Sequence, residues 1–349
     1  MAERTAACEH PTWKEAKTRS LAWGAAETRN LAETLTKDTK MRTERPGLKW
    51  MRAGLGAASL LAVISFAPLA SAQEPKGASG SDVAETGRKL SNPLSDVWAL
   101  FTRFDANFAD GDVNQGNAKV GGRMLFQPIL PVPLHGTGAN RWNFIARPTI
   151  PVLFSQPVPT GLNTFDHTGG IGEIELPTVI APPTGNWILG AGPAFLFPTA
   201  TDDAFGRDQW GVGPSLVVGY RTQAVTFGAF GQYYFGIGSH GDREPGVQDA
   251  SFMNLLYFFS LNLPSAWQIA FDPTITYDAR ATSGNKWNVP VGLSVAKTAL
   301  VGKLPVKFQL GVEYSVVSQD TYGDQGKLVL EVIPVIPALI HRPILGGGS

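Results

Sequence analysis

Few side chains in this sequence are placed to make or break bonds. The histidines are His10, His135, His167, His240 and His341, and the one cysteine is Cys8. The run Ser239-His240-Gly241-Asp242 contains the three residue types of a hydrolytic triad. Neighbours in sequence point apart, however, and a nucleophile meets its base when the fold brings separated residues together. His167 and His240 fall in segments read below as external loops, His135 in a short turn and His341 near the end of the chain. No loop has the ligand spacing of a dedicated calcium site, and Gly211-Val212-Gly213 lacks the strand-to-helix setting of a phosphate loop. The expectation is a protein that is not an enzyme, with no catalytic, cofactor-binding or metal-binding residues.

A second set of polar residues suggests a different chemistry. Arg123 and Gln127, Asn143 and Arg147, and Glu173 and Glu175 recur two or four residues apart inside otherwise apolar segments. So do Lys307, Gln309 and Glu313, with Gln232, Asp272, Lys286 and Glu331 each alone in a similar setting. Side chains two apart on a strand share a face. These thirteen are therefore candidates to line the interior of a closed sheet, where fixed charges set which ions and solutes pass. Both signs occur, so the row either neutralises itself and fills the interior or tunes permeation.

The elements that would hold them begin near Asn92. From there the chain reads as period-2 segments of about ten residues separated by turn chemistry. Val306, Phe308, Leu310, Val312, Tyr314 and Val316 oppose Lys307, Gln309, Gly311, Glu313 and Ser315. Trp267, Ile269, Phe271, Pro273, Ile275 and Tyr277 oppose Gln268, Ala270, Asp272, Thr274, Thr276 and Asp278. Twelve such segments are expected, at 97–108, 118–133, 141–154, 171–181, 186–198, 210–221, 224–237, 251–262, 266–277, 286–297, 304–317 and 327–337. Short connections alternate with longer polar ones at 109–117, 155–170, 199–209, 238–250, 278–285 and 318–326. The longer ones hold twelve acidic and three basic residues, and the short ones hold no acid.

That rhythm is the one of an all-β, single transmembrane antiparallel up-and-down β-barrel of about twelve strands, with short periplasmic turns and longer external loops. Charged residues make up only 17% of the chain, which suits a surface facing lipid. Pro128, Pro148, Pro193, Pro214, Pro273 and Pro334 cut against the reading, because each removes a ladder donor from a sheet without free edges. Bulges or strand ends near the membrane rim would absorb some of them and leave others without an account.

The first 72 residues are different. Arg42, Arg45, Lys49 and Arg52 precede the apolar stretch 53–69, and Ala70-Ser71-Ala72 is a small-residue cleavage pattern. The reading is a signal peptide over 41–72, cleaved near Ala72, after an N-terminal extension 1–40 that is a candidate mis-assigned start. A flexible linker at 73–91, a barrel at 92–337 and a tail at 338–349 complete the domain plan. Beyond the leader the chain has 18 basic and 22 acidic residues and no cysteine. That balance excludes a nucleic-acid surface, and the missing thiols exclude disulfides.

Three stretches carry a family resemblance: NPLSDVWALFTRFD from Asn92, GAGPAFLFPTATDDAFGRDQWGVGPS from Gly190, and NKWNVPVGLSVAKTALVGKLPVKFQLGVEY from Asn285. They resemble a widespread group of Gram-negative outer-membrane barrels, often labelled as transporters or as neuromedin U, and related to the phenol-degradation MetA-pathway barrel family. The resemblance spans about Asn92 to Pro337 and implies an outer-membrane barrel with a permeation role. It brings no catalytic residues. The tail from Leu339 departs from the terminal aromatic common in such barrels.

The expected function is a channel or transporter-like barrel for passive or selective passage of small solutes, with outer-membrane lipid as its surroundings and no cofactor. A closed structural or surface-interaction barrel is the alternative, and an outer-membrane hydrolase comes third.

Overall fold

A computed structural model of the chain describes residues 80–239 and 248–345. The N-terminal extension, the signal segment, Cys8, the run from His240 to Asp242 and the start of the expected linker lie outside the described residues.

Among the described residues one antiparallel sheet contains every strand. In chain order these are β1 Ala99–Asp110, β2 Lys119–His135, β3 Trp142–Ala146, β4 Ile150–Gly161, β5 Thr164–Ile171, β6 Ile174–Ala181, β7 Trp187–Phe197 and β8 Trp210–Arg221. They continue as β9 Val225–Ile237, β10 Ser251–Asn262, β11 Trp267–Phe271, β12 Thr274–Asp278, β13 Trp287–Val301, β14 Leu304–Val317 and β15 Gly323–Pro334. β1 pairs with β15 on one side and with β2 on the other, so the sheet closes on itself. β3 with β4, β5 with β6, and β11 with β12 are each one strand interrupted by two or three residues. The result is the expected closed barrel of twelve strands.

Alternation decides what faces outward. On β14, Phe308, Leu310, Val312 and Tyr314 are exposed while Lys307, Gln309, Glu313 and Ser315 are buried. Water cannot satisfy backbone groups in lipid, so only a closed ladder with such an apolar exterior can span. Exposed rings mark both rims: Trp142, Trp187, Phe227 and Trp267 near the short turns, and Trp210, Phe235, Trp287 and Tyr314 near the long loops. Such rings suit the interface between hydrocarbon and headgroup.

The prolines find places. Pro193 and Pro214 face one another across β7 and β8. Beside Pro193 the β6–β7 ladder skips Thr178 and Val179. Side-chain hydroxyls fill that gap: Thr178 Oγ1 donates to Pro193 O at 2.7 Å, and Ser215 Oγ donates to Thr178 O at 2.6 Å. Pro148 and Pro273 sit in the interruptions between β3 and β4 and between β11 and β12. Pro128 falls in the stretch of β2 that pairs with neither β3 nor β4. Pro334 ends β15.

Two expectations need correction. The stretch 155–170 is not a loop but most of the β4–β5 hairpin, turned at Leu162-Asn163, with Asn163 at φ 58. Pro157 and Pro159 sit where β4 has run past its partner β2, so they cost no donor there. The end of the expected linker is a helix, α1, over Gly80–Leu90. Asp82 in its first turn and Arg88 and Lys89 in its last suit the helix dipole. Its apolar residues are too few to give a helical stripe in the sequence, and it forms against β13, β14 and the turn before β11.

The inside is divided. In the half near the short turns, Phe101, Ile129, Ile145, Val179, Val217, Phe230, Phe258 and Ile333 make an inward apolar belt, and Leu90 and Leu94 of the N-terminal segment insert into it. Gly87 lies so close to Thr298 that a side chain there would collide. Gln268 Nε2 donates to Gly87 O at 3.3 Å, and Trp98 Nε1 donates to Pro131 O at 2.9 Å. The segment 80–98 thus stops the barrel at the short-turn end. Gln268, Thr298 and Lys307 are also buried near this end, and the larger polar compartment lies in the other half.

Candidate functional site

That other half holds a cavity of about 590 Å³. One wall is built by the strands that meet at the seam. β1 presents Arg103 and Asp105 two residues apart on its inner face, so the pair bonds along the strand: Arg103 Nε donates to Asp105 Oδ1 at 2.7 Å. The same guanidinium reaches Glu313 of β14 at 2.6 Å and Glu331 of β15 at 3.6 Å. From β2, Arg123 donates to the second Asp105 oxygen at 2.9 Å. Lys327 of β15 pairs with Asp324 at 3.2 Å. Asp105 is 3% exposed and Glu331 is 3% exposed, and carboxylates so withdrawn from water need such partners.

On the opposite wall, Glu175 of β6 accepts hydrogen bonds from two neutral donors among the described residues, Tyr234 Oη at 3.1 Å and Asn254 Nδ2 at 2.9 Å. Both partners come from strands across the lumen, β9 and β10, which side chains of this length can reach only in a narrow barrel. The three strand interruptions lie beside or contain inward charges: Arg147 before β4, Glu173 before β6 and Asp272 between β11 and β12. A broken ladder frees the backbone to turn a side chain inward. Beneath the cavity a chamber of about 40 Å³ is lined by Lys307, Gln309, Asp272 and Arg147, with Leu90 and Ser91 of the N-terminal segment as its floor. Lys307 Nζ donates to Ser91 Oγ at 3.1 Å, tying the barrel wall to the stopper.

Nine of the sequence candidates line the large cavity: Arg123, Gln127, Arg147, Glu173, Glu175, Gln232, Asp272, Glu313 and Glu331. Lys307 and Gln309 line the chamber below. Asn143 is separated from them and faces a pocket at the short-turn end with Arg88 and Arg141. Lys286 is corrected: β13 begins one residue later, and Lys286 belongs to the preceding loop, where its carbonyl accepts from Asp278 N at 2.9 Å. Arg103, Asp105 and Asn107 were visible in the sequence as a period-2 polar row but were not among the candidates. Asp324 was hidden because the last strand starts earlier than its apolar pattern, inside the expected loop 318–326, while Lys327 opens the expected strand, in parity with Glu331, and was not among the candidates.

The cavity lining holds six carboxylates, Glu173, Glu175, Asp272, Glu313, Asp324 and Glu331, against four cations, Arg103, Arg123, Arg147 and Lys327. With every group counted as ionised, its formal charge is acidic by two. On the exposed β4–β5 hairpin, Ser155 Oγ and His167 Nδ1 are 3.0 Å apart. Among the described residues no carboxylate orients that imidazole, so the contact lacks the third member of a hydrolytic triad.

The barrel superposes on an outer-membrane channel from Pseudomonas putida F1 with a TM-score of 0.51 at 12% identity, over 70% of this chain and 98% of that one. The chain has the fold of an outer-membrane channel barrel. Weaker likenesses are to the NanC porin, with a TM-score of 0.40 at 10% identity over 68% of this chain and 99% of that one. The β-domain of the Bordetella autotransporter BrkA gives 0.39 at 11% identity over 69% of this chain and all of that one. No protein-family model matches the chain, and no curated protein does.

Proposed function

We propose that this protein is an outer-membrane channel for small solutes in a Gram-negative bacterium, delivered there after signal cleavage near Ala72 and belonging with the MetA-pathway-related barrels it resembles. The observation that carries the reading is a charged cavity of about 590 Å³ inside a barrel whose exterior is apolar. Lipid contact explains the exterior. It gives no reason for a polar cavity lined by ten charges, whereas passage of solutes does. A solute entering past the long loops meets the cavity, then the chamber, then the stopper formed by residues 80–98. Passage to the periplasm requires that segment to move.

The test is reconstitution of the full mature chain in planar bilayers and in liposomes. The channel reading expects stepwise conductance and solute-driven swelling; a preparation that is folded but silent in both refutes it. The apolar belt sealed by Leu90 and Leu94 favours a second reading, a closed barrel acting through its loops. That reading expects no conductance even after residues 80–96 are deleted.

A further inference from the structure

An ionisable side chain inside a membrane-spanning barrel is costly, and the question it raises is what its partner is. Arg103 and Arg123 have theirs, the carboxylates of Asp105, Glu313 and Glu331. Arg147 does not. Among the described residues no carboxylate forms an ion pair with it, and its Nε is buried without any hydrogen-bond partner. Among the described residues its side-chain acceptor is a neutral amide, Gln127 Oε1 at 3.2 Å.

The group is nevertheless held in place. Gln127 is itself fixed by donating to Thr149 Oγ1 at 2.9 Å. The guanidinium lies over the Phe101 ring, 5.3 Å from its centroid. A guanidinium held over a ring and clamped at one nitrogen keeps its other donors in a fixed fork, the geometry that a carboxylate matches with two hydrogen bonds. Around it, Phe101, Leu125, Pro177, Phe230 and Leu256 give the cavity an apolar side. Without Arg147 the lining counts six carboxylates against three cations, an excess of three that repels an anion of high charge more strongly than a singly charged one.

Building on the reading of this cavity as a solute compartment, we propose that Arg147 is a binding subsite for the head group of a small monocarboxylate with an apolar body, which packs against Phe101 and its neighbours. The solute stands where a protein carboxylate stands for the other two lumen arginines.

The test is equilibrium dialysis of radiolabelled benzoate against the detergent-folded full chain, with folding verified by heat-modifiable migration. Wild type is expected to bind saturably. Arg147→Gln is expected to weaken binding by about thirtyfold or more, as removal of one partner of a desolvated charge pair does. Arg147→Lys keeps the charge without the fork and should fall between. Benzyl alcohol and inorganic phosphate should compete poorly. The inference is overturned if wild type shows no saturable binding, if Arg147→Gln binds as wild type does, if benzyl alcohol competes equally (an apolar pocket only), or if phosphate does (a general oxyanion site). Binding is read without passage, so a protein that conducts but ignores benzoate loses only this inference, and one that binds but never conducts loses only the channel.

Discussion

Weakening the seat of the N-terminal segment should open the short-turn end. Leu90 is 3% exposed and Leu94 8%, both within the inward apolar belt. Truncating a buried leucine to alanine costs about 2–5 kcal/mol in a protein core. The stopper is a peripheral element whose surroundings can collapse, so the low end applies, about 2 kcal/mol each. The two share one cluster, and coupling between them changes the sum by roughly 1 kcal/mol. Leu90→Ala with Leu94→Ala therefore removes about 4 kcal/mol of docking, roughly a thousandfold change in the ratio of undocked to docked barrel. The assay is open probability in planar bilayers, alongside the swelling rate of liposomes in a small sugar. Single variants should fall between wild type and the double variant, and deletion of 80–96 should set the upper limit. Gly87→Val reaches the same end by collision with Thr298 instead of lost contact. If the double variant and the deletion both match wild type, the belt alone closes the barrel and the stopper does not gate it.

Three further outcomes follow from the lumen and its rim. Arg103→Met leaves Asp105, Glu313 and Glu331 without their shared guanidinium; the expected loss is about 2–3 kcal/mol in urea refolding into vesicles, less than in a dry interior because the cavity is polar. Adding Glu313→Gln should recover part of it, and unchanged refolding of the single variant would show the network to be neutral for stability. In a salt gradient the acidic excess of the lining predicts a reversal potential of cation-preferring sign, reduced by Glu173→Gln with Glu175→Gln, and an anion-preferring sign would contradict it. In the outer loop, burial, with Asp324 and Asp110 nearby, pushes the Tyr322 phenol up to about 12. The folded state then holds that proton more firmly than the unfolded one, so its contribution to stability is complete below the ordinary phenol value and is lost as pH rises through about 12. Tyr322→Phe should delete that alkaline step from an ultraviolet titration; persistence of the step would assign it elsewhere.

Lipid outside and water at the rims impose a period of two and a short–long rhythm of connections, and both are local enough to read from residue types. That is why the barrel, its twelve strands and the outward rows such as Phe308 to Tyr314 were legible in the sequence. The same parity placed Arg123, Glu175, Lys307 and Glu313 inside. Parity gives a side but no depth. It could not tell that the apolar belt gathers in one half of the barrel and most of the inward charges in the other, because that division appears only when twelve strands are set in register. Nor could it pair Arg103 with Glu313, 210 residues away, since closure of the first strand on the last makes them neighbours. Weak local patterns failed for a related reason. α1 is a helix because a wall receives it, and β4 with β5 is a hairpin because Pro157 and Pro159 fall on an edge that needs no donor. Whether a charge is paired is likewise a property of the closed sheet. In the sequence Arg147 is one lumen arginine among several; in the barrel it is the one that, among the described residues, no carboxylate meets at ion-pair distance.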